Sequence, residues 1–189
     1  MRLFIALTLP EAVRRDLDRR TRPLRPRLPR AKWVRSEALH LTLAFLGETD
    51  PERLAVLDGE IAPAFAAHRA MHLRVSGAGG FPPRGKKRVL WAGLEADGDL
   101  AGLQSEVQKA AERALSTELE KRPFHAHVTL ARCRPPWPAG ALETLRTAFE
   151  GGLGESFPVR AGTLFESELK PAGAEYRALR QYPLREESG

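Results

Sequence analysis

A chain of 189 residues, 42% hydrophobic and 29% charged, has ordinary globular composition and is long enough for one well-buried core. Its net charge of +6 favours an anionic partner, although the excess rests on 24 arginines against six lysines, and the single cysteine, Cys133, excludes an internal disulfide or a thiolate zinc cluster. No apolar stretch approaches membrane-spanning length, and the short run Leu3 to Leu9 is followed by Pro10-Glu11 rather than a small-residue cleavage site, so the expectation is a monomer in a reducing cytoplasm.

Leu3, Ile5, Leu7 and Leu9 alternate with Phe4, Ala6 and Thr8, which reads as a strand, and Pro10 suits the first turn of a helix carrying Val13 and Leu17. Thr21 to Ala31 reads as a loop whose Arg22, Arg25, Arg27 and Arg30 could track a phosphate backbone, with solvated surface charge the commoner fate of any one of them. The segment His40-Leu41-Thr42-Leu43 has strand character. It is followed by a helix through Leu54, Leu57, Ile61 and Phe65, a strand from Met71 to Val75, and a loop from Gly77 to Gly85.

After the basic group Arg84, Lys86, Lys87 and Arg88 the order repeats. Val89 to Leu94 is a strand, and Leu100, Leu103, Val107, Ala111 and Leu115 mark a helix with Asp99 near its start. His127-Val128-Thr129-Leu130 is a second strand of the same pattern, 87 residues after the first. A loop from Arg134 to Gly140, a helix through Leu142, Leu145 and Phe149, a strand from Phe157 to Leu164 and a last element from Tyr176 to Leu184 complete the chain. The repetition predicts an α+β fold of two small sheets with helices outside, in one domain spanning 1–189 with an internal repeat of roughly 1–86 and 87–189.

In a strand, alternate side chains share a face, so each histidine projects with its threonine while Leu41, Leu43, Val128 and Leu130 pack behind. Two imidazoles that titrate near neutrality can act together as general base and general acid, and two hydroxyls can donate to phosphoryl oxygens. Attacking and leaving oxygens lie on opposite sides of phosphorus in an in-line displacement, which a pair of flanking imidazoles matches. Each acid or base contributes about 10²- to 10⁴-fold, enough for a strained cyclic phosphodiester and thin for an unactivated linear one. A metal site would need further ligands, and no Asp or Glu sits at comparable spacing, Glu37 and Glu48 lying near the ends of the first strand; no metal and no cofactor are expected.

Three further groups are candidates. His125 shares a strand face with His127 and could touch the substrate or tune that imidazole, with a rim histidine of no role the commoner outcome. Arg132 could grip a phosphate, but strict alternation points it away from the cleft unless the strand bulges or twists. Trp33, Phe45, Trp91 and Phe124 could stack on a base, with packing the commoner role. His68 and His72 carry no assignment.

The paired His-x-Thr-Leu motifs resemble those of the 2H phosphoesterase superfamily, and within it the RNA 2′,3′-cyclic phosphodiesterases once described as 2′-5′ RNA ligases. The resemblance extends to Arg2-Leu-Phe-Ile-Ala-Leu, Trp33-Val34, Phe45-Leu46-Gly47, Val89-Leu90-Trp91-Ala92-Gly93, Arg122-Pro123-Phe124, Ala131-Arg132 and Leu164-Phe165-Glu166-Ser167. It implies a bilobal fold with pseudo-two-fold symmetry and a central cleft lined by both motifs. It also implies metal-independent hydrolysis of RNA 2′,3′-cyclic phosphate termini to 2′-phosphomonoesters, with reverse 2′-5′ joining in some members.

By position it makes His40 the proton donor to the leaving 3′ oxygen, His127 the acceptor that activates water, and Thr42 and Thr129 the phosphate anchors. On the residues alone the acid and the base are interchangeable, and His125 stands where members of the family often carry Arg. Two alternatives stay open: a phosphodiesterase for a small cyclic nucleotide or an ADP-ribose cyclic phosphate, and a non-catalytic RNA-binding module.

Overall fold

The computed structural model describes residues 1–82, 88–120, 122–133, 140–150, 153–170 and 173–186. In chain order the elements are β1 (Arg2–Thr8), α1 (Glu11–Thr21), β2 (Ala31–Trp33), β3 (His40–Glu48), α2 (Leu54–Ala67), β4 (Met71–Phe81) and β5 (Val89–Ala96). Then follow α3 (Leu100–Leu115), β6 (His127–Cys133), α4 (Ala141–Ala148), β7 (Leu153–Val159), β8 (Ala161–Lys170) and β9 (Gly173–Pro183), with short 3₁₀ turns at Arg22–Arg27, Ser36–Ala38 and Pro51–Arg53. The basic residues Arg84, Lys86 and Lys87, and most of the loop from Arg134 to Gly140, lie outside the described residues.

The strands form one curled α+β sheet in the order β7-β4-β5-β6-β3-β1-β8-β9, with β2 paired to β6, and every named strand pair is antiparallel. The two small sheets expected from the sequence are the halves of this path. They meet where β3 and β6 pair through Leu41 and Val128, the middle residues of the two motifs. The halves in space differ from the halves in sequence. β4 belongs to the first repeat but lies beside β5, and β8 and β9 belong to the second but extend the sheet from β1.

The break between β7 and β8 shows the consequence. Phe157 to Leu164 reads as one strand, yet the chain leaves one outer edge at Val159 and enters the opposite half at Ala161. Pro158, which lacks an N–H, is tolerated because β7 is an edge strand. Gly77 to Phe81, expected as loop, continues β4 past a bulge at Val75–Ala78 with Gly77 at φ +66°. Its glycines answer a packing need, since a Cβ on Gly79 would come within 2.2 Å of the Trp91 indole. The chain lies flat against Trp91 because glycine has nothing to put there.

The helices bury apolar stripes against the other face of the sheet and against one another. α2 contributes Leu57, Ile61 and Phe65, and α3 contributes Leu103, Val107, Ala110 and Ala111, to a core continuous with Leu3, Ile5, Leu7, Leu41, Leu90 and Val128. Asp99 caps α3 by accepting from the Gly102 N–H at 2.8 Å, and Ser116 ends it in the left-handed conformation. Full burial of each large side chain contributes about 1.5–3 kcal/mol, and this packing holds Leu41 and Val128 rigid behind the two motifs. Among the described residues no helix is long and apolar enough to cross a membrane.

Candidate active site

β3 and β6 place the motifs face to face. Leu41 and Val128 are fully buried, whereas His40, Thr42, His127 and Thr129 are part-exposed on the opposite side. Continuing the antiparallel register by one residue each way sets His40 across from Thr129 and Thr42 across from His127.

Both imidazoles are held alike. The Nδ1–H of His40 donates to the Ala38 carbonyl at 2.8 Å, and that of His127 to the His125 carbonyl at 2.6 Å. A carbonyl can only accept, so Nδ1 carries a proton in either charge state and Nε2 is left as the working nitrogen. Thr42 Oγ1 lies 3.1 Å from His40 Nε2 and donates to it while the ring is neutral. Burial, above all, pulls both histidines below the ordinary imidazole pKa. The carbonyl acceptors oppose this, and positive charge adds to the lowering: Arg132 and His127 act on His40, and His125 and Arg132 act on His127.

Arg132 influences both rings because β6 bulges. Trp91 pairs with Thr129 and Leu90 with Ala131, so Leu130 is an extra residue and the parity of the strand flips after it. Arg132 is thereby turned to the same face as His127 and is exposed. β3 carries the equivalent bulge: Ala6 pairs with Thr42 and Ile5 with Ala44, leaving Leu43 over. That flip presents Phe45 at the position matching Arg132, and the Phe45 side chain is 60% exposed. The sequence signal for both bulges is a pair of consecutive buried apolar residues, Leu43-Ala44 and Leu130-Ala131, where alternation demands one in and one out.

Aromatic rings flank each imidazole. Phe4 lies 4.9 Å from His40 and Tyr176 meets it edge-on at 5.3 Å, while Phe165 stacks on Phe4 at 5.3 Å. On the other side Phe81 meets His127 edge-on at 5.0 Å, and His125 packs against Trp91 at 4.4 Å. Phe4, Tyr176 and Phe81 escape a motif-based reading because other strands bring them in. The His125 ring is exposed at the rim.

Other candidates lie elsewhere. Trp33 is on the far side of β2, opposite buried Ala131 and beneath the Arg25 guanidinium at 5.8 Å, and Phe124 packs against the core. Arg22 and Arg25 are both paired with Asp18. Glu48 lies 3.6 Å from the N-terminal amine, His68 lies 3.1 Å from Glu106, and His72 bonds to Asp97 at 3.2 Å. Among the described residues no three His, Cys, Asp or Glu side chains converge where they could hold a metal ion.

Comparison with known proteins bears on the family and the fold. A family model described as the 2′-5′ RNA ligase superfamily matches residues 10–170. The chain is 38% identical, over its whole length and 93% of the relative's, to a Thermus thermophilus protein named RNA 2′,3′-cyclic phosphodiesterase. It is 31% identical, over 96% of its length and 99% of the relative's, to one of that name from Archaeoglobus fulgidus. Among solved structures, TT0787 of Thermus thermophilus superposes over all of both chains with a TM-score of 0.83 and 33% identity. Escherichia coli LigT in complex with 3′-AMP superposes over 97% of both with a TM-score of 0.76 and 26% identity.

Proposed function

This chain belongs to the 2′-5′ RNA ligase superfamily, and on that footing we propose that it hydrolyses RNA 2′,3′-cyclic phosphate termini to 2′-phosphomonoesters by acid–base catalysis between its two histidines. The observation that carries the reading is the pairing of Leu41 with Val128, which puts two Nε2 atoms and two threonine hydroxyls on one face of adjoining strands. The names of its relatives support the enzyme class and the substrate.

In this mechanism the cyclic phosphate sits between the motifs. His127, neutral at Nε2, takes a proton from water as the water oxygen bonds to phosphorus. The bond from phosphorus to the 3′ oxygen breaks, and His40, protonated at Nε2, delivers its proton to that oxygen. Thr42 and Thr129 donate to the non-bridging oxygens where charge builds, and Arg132, turned to the same face by the bulge, offers a guanidinium to RNA phosphate at the edge of the site. With the 5′-hydroxyl of a second RNA in place of water the same step gives 2′-5′ joining: His127 takes the hydroxyl proton as the 5′ oxygen bonds to phosphorus, the bond to the 3′ oxygen breaks and His40 protonates it, and the reverse cleavage exchanges the histidine roles. His125 acts through its carbonyl on His127 and offers its ring at the rim.

The test is incubation of a short RNA ending in 2′,3′-cyclic phosphate in EDTA, with ³¹P NMR to assign the product. A 2′-phosphomonoester formed without metal is the expected outcome. No conversion in EDTA but turnover with an added divalent ion would refute metal independence. No conversion under either condition, with tight binding of the RNA, would make the chain a binding module.

A further inference from the structure

We propose that Lys32, beside Arg132 on the sheet face that carries both motifs, binds the first internucleotide phosphate of the RNA and makes the protein prefer a chain over a single nucleotide. The inference rests on the phosphodiesterase reading and adds a specificity residue to it. Lys32 and Arg132 are Cα partners across the β2–β6 ladder, and directly opposed residues of an antiparallel pair point to the same face. Burial agrees: Trp33 is half-buried and its partner Ala131 fully buried on one face, while Lys32 and Arg132 are both exposed on the other.

Like charges directly opposite one another destabilise a sheet. Neither cation is paired with a carboxylate among the described residues, although acidic partners hold arginines elsewhere, as Asp18 holds Arg22 and Arg25. A phosphate lying between the two would convert the repulsion into two charge-assisted contacts.

The spacing suits a second phosphate rather than the reacting one. From Thr129, Arg132 is three residues along β6 with one residue bulged, and Lys32 is one strand further out, so the pair begins roughly 7–10 Å from the threonine. That is about the reach of one nucleotide. The Val34 N–H donates to the Leu130 carbonyl at 2.9 Å, which continues the ladder from β2 toward β3 and fixes Lys32 relative to the catalytic strands.

The test compares kcat/KM for a dinucleotide ending in 2′,3′-cyclic phosphate with that for the mononucleotide 2′,3′-cyclic phosphate of the same base. In Lys32→Ala the ratio of dinucleotide to mononucleotide should fall about tenfold, through KM. Lys32→Arg should restore it and Lys32→Glu should lower it further. The slope of log kcat/KM against log salt for the dinucleotide should flatten by about 0.7, as one lost contact to single-stranded phosphate requires. An unchanged ratio, or equal losses on both substrates, would overturn the proposal. Wild-type protein that leaves both substrates intact would instead overturn the phosphodiesterase reading beneath it.

Discussion

The two halves of the site are built on one plan and differ in a single consequential place. On β3, His40 bonds the carbonyl two residues back, Thr42 follows, Leu43 bulges and Phe45 turns outward. On β6, His127, Thr129, Leu130 and Arg132 repeat each step. What is duplicated is a histidine whose Nδ1 is held by a carbonyl, followed by a threonine on the same face, the arrangement that the proposed in-line reaction would use on both sides of phosphorus. What is not duplicated is the residue beyond the bulge: the exposed Phe45 ring stands on one side and the exposed Arg132 guanidinium on the other, a pair that would suit the base and the phosphate of a nucleotide.

The largest effect expected from breaking the comparison is at the histidines. If both imidazoles are required, His40→Ala and His127→Ala should each lower kcat on a cyclic-ended oligonucleotide by about 10²- to 10⁴-fold. The double variant should lose much less than the product of the two, because residues that act as a unit are non-additive. A loss confined to one variant would mean that the symmetry is structural only. The threonines come next. Thr129→Val keeps the shape and removes the donor, and should cost about 10²- to 10³-fold in kcat. Thr42→Val should cost at least as much, since that hydroxyl also contacts His40 Nε2; equal, negligible losses would remove both from phosphate binding.

How much of this is legible in sequence follows from the range of each determinant. The motifs are local, and two-residue periodicity alone places His40 with Thr42 and His127 with Thr129, just as helical periodicity places the stripes of Leu57–Phe65 and Leu103–Ala111. Arg132 and Phe45 depend on a one-residue bulge, which reverses the face of everything beyond it and is written only in the doubled apolar residues before them. Tyr176, Phe81 and Lys32 depend on strand order. β9 reaches His40 only through β8 and β1, and β4 reaches His127 only through β5, connections that cross between the sequence repeats. Glycine misleads in the same way, because Gly79 serves the Trp91 indole of another strand and not a turn.

Phe45 tests the apolar side of the comparison. As an exposed ring beside Phe4, with centroids 6.3 Å apart, it offers a stacking face for the base. Phe45→Ala should weaken substrate binding by about 1–3 kcal/mol, read as a rise in KM with kcat little changed. Phe45→Trp should keep the affinity. Thermal stability should move little, because the side chain is mostly in solvent. A fall in kcat at constant KM would place the ring in the chemistry instead.

Arg132 gives the smallest and most diagnostic shift. kcat/KM reports the free protein, and the proposed mechanism requires one imidazole there to be neutral and the other protonated, so the rate should fall as pH rises through the higher of the two values. Both lie below the ordinary 6.5, chiefly through burial, so kcat/KM should peak on the acid side of neutrality and decline toward alkaline pH. Arg132→Gln removes a positive charge that disfavours the protonated form of both rings. Both values then rise, and the whole profile moves toward neutral pH, whatever happens to its height. Profiles over about pH 5 to 8 for wild type and variant check the sign. A profile that drops in height without moving would detach Arg132 from the imidazoles and leave it a phosphate contact alone, whereas a profile shifted on one limb only would identify which histidine the guanidinium governs and so break the symmetry between them.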